Sequence, residues 1–88
     1  LMQDLAMKSG SGVVAGLMGE SAFGTLAALQ FAAALRKPLL PAELTWFLAM
    51  TEQITTIPPK IADGRMELPD SPSLASIVDW AALRRYSL

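Results

Sequence analysis

The sequence offers few side chains that can do chemistry, and their types limit what that chemistry is. Its 88 residues include no histidine and no cysteine, which removes the commonest general base, the commonest metal ligand and any thiol nucleophile. Acid–base chemistry must therefore use a carboxylate, a lysine or Tyr86. Among the carboxylates, Glu20 lies between a short apolar run and an apolar helix. The helix macrodipole alone favours an acid there by about 0.3–1 kcal/mol, and the residues by themselves favour that plainer interpretation.

The elements that must position Glu20 are predicted by breakers and by apolar patterning. The first part of the chain predicts a helix, a short strand, a loop and a second helix, over residues 1–8, 13–15, 16–20 and 22–35. Val13-Val14-Ala15, with glycine on both sides, is typical of a strand buried on both faces. Ser21 is a suitable N-cap for the second helix, which Lys37-Pro38 should end.

This order of elements is the αβα portion of a parallel α/β fold. A single parallel strand needs a neighbour at each edge, and the sequence contains no second βα unit. Hydrophobic residues make up 52% of the chain and charged residues only 17%, against about 25% charged in an average protein. Because a small domain has much surface to cover, we expect other protein to cover part of this chain.

The second half predicts two further local structures. Residues 44–50 form an apolar stretch that fits either a short helix or an irregular packed segment. Asp63-Gly64 favours a two-residue type I′ hairpin turn, in which Ile61 faces Met66 and Lys60 faces Glu67. Asp79 should cap a last short helix over residues 80–86.

Two other classes of protein remain open from the residues alone. A membrane-associated protein could be built around residues 21–35, although this uncharged run is shorter than the roughly 20 residues that a span needs. A small non-catalytic interaction or assembly protein could pair its lone strand with a partner. A net charge of −1 argues against a nucleic-acid partner, and no secretory signal is visible. Because the chain begins with Leu1, we expect a processed or truncated polypeptide.

Three segments, in this order, resemble the muconate cycloisomerases, which belong to the mandelate racemase–muconate lactonizing enzyme family of the enolase superfamily. They cover residues 13–25, 27–31 and 57–79. In the first, the apolar run leads to Met18, Glu20 and Gly24-Thr25, similar to the eighth barrel strand and its loop. The last contains a proline pair, Asp63-Gly64, Leu68-Pro69, Ser71-Pro72-Ser73-Leu74-Ala75 and Val78-Asp79. The chain departs from the family where Gly19 replaces a leucine and where residues 71–75 replace Gly-Pro-Gly-Leu-Gly.

The resemblance implies a fragment of a divergent (β/α)₈ barrel with a capping domain. Residues 1–37 would be the end of the barrel, with a helix, the eighth strand and the last helix. Residues 38–88 would be a return segment with a β-hairpin and a short C-terminal helix. Family members bind Mg²⁺ or Mn²⁺ through three carboxylates on middle strands, while lysines on the second and sixth strands move protons next to a substrate carboxylate. None of those strands is in this sequence.

The resemblance also implies which residues of this chain reach the active site. Glu20 would be catalytic, near the substrate carboxylate or the oxygen of an enediolate intermediate, and Leu17, Met18 and Ser21 would shape the substrate pocket. From the residues alone, core packing explains Leu17 and Met18 equally well, and helix capping explains Ser21. We expect a chain that is inactive and holds no cofactor by itself. Its partners would be the rest of the barrel or another copy of the chain, in a cytoplasmic, homo-oligomeric isomerase that acts on a small carboxylate.

Overall fold

The computed structural model describes residues 1–36, 40–71 and 73–87, which form three α-helices, two 3₁₀ helices and one hairpin. Helix α1 spans Met2–Lys8, α2 spans Ala22–Ala34 and α3 spans Trp80–Tyr86. The 3₁₀ helices span Trp46–Ala49 and Leu74–Ile77, and the hairpin pairs β1, Ile61–Ala62, with β2, Arg65–Met66. The predicted end of α2 at Lys37-Pro38 lies outside the described residues.

Helix α2 forms the centre of the structure and packs against both 3₁₀ helices. Its buried residues are Ala22, Thr25, Leu26 and Ala32. Phe47 and Ile77, one from each 3₁₀ helix, are also buried. The small residues of α2 allow this close approach, whereas Phe31 on the same helix is 64% exposed. The apolar side chains of α2 are therefore only partly packed within this chain.

The prediction of a short strand at Val13-Val14-Ala15 is wrong about its burial, and only one of its two expected neighbours is present among the described residues. These residues are extended, yet the described residues pair with them only through residues 40–43. The Leu40 N–H donates to the Val13 carbonyl at 3.0 Å and the Glu43 N–H to the Ala15 carbonyl at 2.9 Å. This parallel pairing supplies one of the two neighbours that a strand needs. The predicted burial on both faces is not observed, since Val13 and Ala15 are half-buried and Val14 is 49% exposed.

The structure confirms the two predictions that rest on local signals. In the hairpin Ile61 pairs with Met66, and Asp63 and Gly64 have φ values of 49° and 69°, as a type I′ turn requires. At α3, one carboxylate oxygen of Asp79 accepts the backbone N–H groups of Ala81 and Ala82 at 3.0 and 2.9 Å. Both structures form from neighbours in sequence, so they need no distant part of the chain.

The chain exposes more surface than a compact protein of its mass. Its accessible area is 6589 Å², against about 5,000 Å² for a folded monomer of this size. Its radius of gyration is 14.7 Å, where about 12 Å is usual. Large apolar side chains contribute to the exposed area, among them Met18, Phe31, Trp46 and Trp80. The excess of about 1,600 Å² is about twice the roughly 800 Å² that one partner buries in a standard protein–protein interface. None of the helices in residues 1–36, 40–71 and 73–87 is long and apolar enough to cross a membrane.

Candidate functional site

The loop that carries Glu20 connects the extended residues 13–16 to α2. Gly19, directly before Glu20, has a φ of +90°, a backbone conformation that a residue with a side chain rarely adopts. The glycine allows the chain to turn sharply at the end of the extended segment and to enter the helix two residues after Glu20. In an α/β barrel the active site is built from such loops, which follow the strands and precede the helices.

The Glu20 carboxylate is half-buried and folds back onto its own loop. The backbone N–H of Met18 donates to its Oε2 atom at 2.7 Å. A hydrogen bond to an ionised acceptor of this length is among the stronger ones in proteins. Among the described residues the second oxygen, Oε1, accepts no hydrogen bond. One oxygen is therefore held by the loop, while the hydrogen-bonding capacity of the other is unused among the described residues.

Gly24 leaves the space that the Glu20 side chain occupies. A Cβ atom placed on Gly24 would lie 2.7 Å from the Cβ of Glu20 and 2.9 Å from its Cγ. Carbon atoms in favourable contact are about 3.5–4.0 Å apart. Any side chain at position 24 would thus push the stem of Glu20 away from its place.

Trp46 packs against the other side of the loop. Its indole Nε1 would lie 3.2 Å from a Cβ built on Gly19, and 58% of the residue is exposed. The indole comes from the first 3₁₀ helix, which also supplies the buried Phe47. The loop is therefore held between α2 and this 3₁₀ helix.

Ser21 occupies the N-cap position of α2, as predicted, but its side chain makes no capping hydrogen bond. The backbone N–H of Ala22 instead donates to the Oε1 atom of Gln53, at 2.8 Å and 31 residues away along the chain. The Nε2 atom of Gln53 donates in turn to the Phe47 carbonyl at 2.9 Å. Ser21 therefore holds the N-cap position without the expected side-chain cap, and Gln53 supplies the acceptor for the first N–H of α2.

The four site residues predicted from the sequence lie in this one loop. Leu17, Glu20 and Ser21 are half-buried, while Met18 is 96% exposed, so packing in a core does not account for Met18 in this chain. Sequence reasoning missed Gly24, Trp46 and Gln53 as neighbours of the loop. The four-residue spacing from Glu20 to Gly24 did not predict their contact, because Glu20 precedes the N-cap of α2 and the i,i+4 rule applies only within a helix. The other two contacts join distant parts of the chain.

A metal site requires acidic side chains that converge on one point. Mg²⁺ and similar hard cations need several oxygen ligands around a single position. Among residues 1–36, 40–71 and 73–87, no three Asp or Glu side chains come together in a way that could hold a metal ion. The residues present therefore do not fit the three-carboxylate site that the resemblance implies.

Comparison with solved structures shows where this arrangement of elements occurs. The muconate lactonizing enzyme from Klebsiella pneumoniae matches with 29% sequence identity and a TM-score of 0.82. The enzyme from Pseudomonas putida matches with 32% identity and a TM-score of 0.83, and a muconate lactonizing enzyme solved at 1.85 Å with 32% and 0.84. Each match covers 97% of this chain and 24% of the other, so the chain spans about a quarter of the length of these enzymes. No protein-family model and no curated protein sequence matches the chain.

Proposed function

We propose that this chain belongs to the muconate cycloisomerase family of the enolase superfamily and is the C-terminal part of a cycloisomerase. The full-length cycloisomerase is called the parent enzyme below. Residues 1–37 would complete the barrel, and residues 38–88 would return to the capping domain. The parent enzyme would convert a small carboxylate through an enediolate intermediate. The isolated chain would be inactive, because the lysines and most acids of such a site are not in it.

The observation that carries this proposal is the position of Glu20. It follows extended residues, precedes an α-helix, and keeps one carboxylate oxygen fixed at 2.7 Å from the Met18 amide, while the other accepts no hydrogen bond among the described residues. In barrels of this architecture, residues at the carboxyl ends of strands are the ones that act on substrate. The identity of about 30% with muconate lactonizing enzymes, over about a quarter of their length, supports this proposal.

We infer that Glu20 acts on an oxygen atom of the substrate. A carboxylate with one free oxygen can hold or move a proton at a substrate carboxylate or at an enediolate oxygen. The exposed Met18 and the half-buried Leu17 and Ser21 would form the wall of the pocket around it. Mg²⁺ or Mn²⁺ would supply electrostatic stabilisation when bound, through ligands in the parent enzyme that lie outside this chain.

A second candidate is a non-catalytic assembly protein, and the surface of the chain is the observation that favours it. The excess exposed area of about 1,600 Å² and the extended residues 13–16, with one edge paired, suit the addition of a partner strand. In the parent enzyme the same surface would be covered by the rest of the barrel. Activity of the longer protein distinguishes the two candidates, because an assembly protein has none.

The experiment is an assay of the parent enzyme in D₂O with cis,cis-muconate and Mg²⁺ or Mn²⁺, followed by NMR. In lactonisation, one carboxylate oxygen adds to a carbon of the double bond, and a solvent deuteron joins the carbon next to the other carboxylate. We expect a lactone with one deuterium at that carbon. If neither muconate nor a panel of small carboxylates gives product or deuterium exchange next to a carboxylate, the proposal is wrong.

A further inference from the structure

We propose that Gln53 is a positioning residue for Glu20. Its side-chain amide ties the start of α2 to the first 3₁₀ helix and so fixes the loop that carries the carboxylate. This inference rests on the proposed function in one respect, namely that Glu20 acts on the substrate. The hydrogen bonds themselves are a property of the chain.

The Gln53 amide uses both of its polar atoms on backbone groups. Oε1 accepts the Ala22 N–H at 2.8 Å, and Nε2 donates to the Phe47 carbonyl at 2.9 Å. A glutamine can satisfy both partners only in one orientation, because its oxygen cannot donate and its nitrogen cannot accept. Both bonds are partly buried, so water replaces them poorly if they are lost.

The bond to Ala22 compensates for a cap that the local sequence does not supply. The first N–H groups of a helix have no partner within the helix, and Ser21 does not provide one through its side chain. Ala22 is two residues after Glu20, so its amide is a close anchor point for the loop. Phe47 is only 6% exposed, which makes the other end of the Gln53 bridge a fixed part of the core.

Trp46 extends the same support to the far side of Glu20. It is the neighbour of Phe47 in the 3₁₀ helix and packs on Gly19, next to Glu20. Residues on both sides of the carboxylate are thus attached to one short segment of the return part of the chain. A change at Gln53 would loosen this attachment without removing any atom of Glu20.

Gln3 provides a control for Gln53. This side chain also accepts a backbone N–H, that of Arg36 at 3.1 Å, and donates to the carbonyl of the same residue. It joins α1 to the segment just after α2, at the end of α2 opposite to Glu20. Since α2 has 13 residues, the two glutamines act about 20 Å apart.

The test measures kcat and KM of the parent enzyme with Gln53→Met, Gln53→Glu and Gln3→Met, at equal folded fraction by thermal melting. Misplacement of a catalytic group by about 1 Å can cost about 100-fold in rate. We expect Gln53→Met to lower kcat by about 10- to 100-fold with KM changed less than about threefold. Gln3→Met should leave both within about twofold, and Gln53→Glu, which keeps the acceptor for the Ala22 N–H, should recover part of kcat.

The outcomes separate this inference from the proposed function. An unchanged kcat in Gln53→Met, or an equal loss in Gln3→Met, overturns the positioning role while Glu20→Gln still lowers kcat. If Glu20→Gln itself leaves kcat unchanged, the role of Glu20 in the proposed function fails first. Should Gln53→Met not fold, Gln53→Glu decides: a kcat between that of the wild type and that of Glu20→Gln supports the inference, and a wild-type kcat overturns it.

Discussion

Gly24→Ala should lower both the activity and the stability of the parent enzyme. The new Cβ would lie 2.7 Å from the Glu20 Cβ, about 1 Å closer than carbon atoms pack. Because rotation about χ1 leaves the Cβ of Glu20 in place, the backbone of the loop must move by about that distance, and the carboxylate moves with it. Alanine in place of glycine favours a helix by up to about 1 kcal/mol, which offsets only part of the roughly 1–3 kcal/mol that overpacking costs. A shift of about 1 Å in a catalytic carboxylate can lower turnover by about 100-fold.

The assay for this variant combines steady-state kinetics with urea denaturation. We expect kcat to fall by about 10- to 100-fold and the free energy of unfolding to fall by about 1–2 kcal/mol. A double-mutant cycle provides the control: in a Glu20→Gln background, Gly24→Ala should have no further effect on kcat, because the displaced carboxylate is already gone. A kcat within twofold of wild type, or an equal loss in both backgrounds, would refute the reasoning.

Three further predictions concern the fold. Asp79→Ala removes the acceptor of two N–H groups at α3 and should lower the free energy of unfolding by about 1 kcal/mol in urea denaturation, with kcat unchanged; no loss of stability would argue against the cap. Gly64→Ala, at a φ of 69°, should destabilise the hairpin by about 1 kcal/mol, and a neutral result would contradict the type I′ turn. The isolated chain, which exposes 6589 Å², should self-associate or stay unfolded, and a sharp thermal transition at the monomer mass in sedimentation would show the contrary.

The parts of the fold that the sequence predicted are those that depend on local chemistry. Asp63-Gly64 has the left-handed backbone that its turn demands, and the Asp79 carboxylate lies three residues or fewer from the amides that it accepts. Breakers alone were sufficient to place α1 and α2 within one or two residues. In each case the energy that decides the structure comes from a few adjacent residues.

Several of the features that sequence reasoning missed join distant residues. Nothing in the proline-containing residues 40–43 is typical of a strand, yet their N–H groups pair with the extended residues 13–16. Ser21 has the right chemistry for a cap but makes no capping hydrogen bond, and the Ala22 N–H donates to the distant Gln53 amide. The contact with Gln53 depends on the packing of α2 against the 3₁₀ helix, which propensities do not contain.

The candidate loop was predicted in composition but not in geometry. Its four residues come together because they are consecutive or nearly so, which the sequence already shows. The sequence could not show that the Glu20 carboxylate folds back onto the Met18 amide, or that Gly24 leaves room for it. These two contacts fix the position of the Glu20 carboxylate and leave one of its oxygens without a hydrogen bond among the described residues.

The most direct test of the central claim is the kcat of the parent enzyme with Glu20→Gln, which keeps the size of the side chain and removes its charge. We expect kcat to fall by at least about 100-fold, as is typical when a positioned acid–base group is lost, while the melting temperature changes little. A kcat equal to that of the wild type, in a protein with the wild-type melting temperature, would remove Glu20 from the active site and contradict the account.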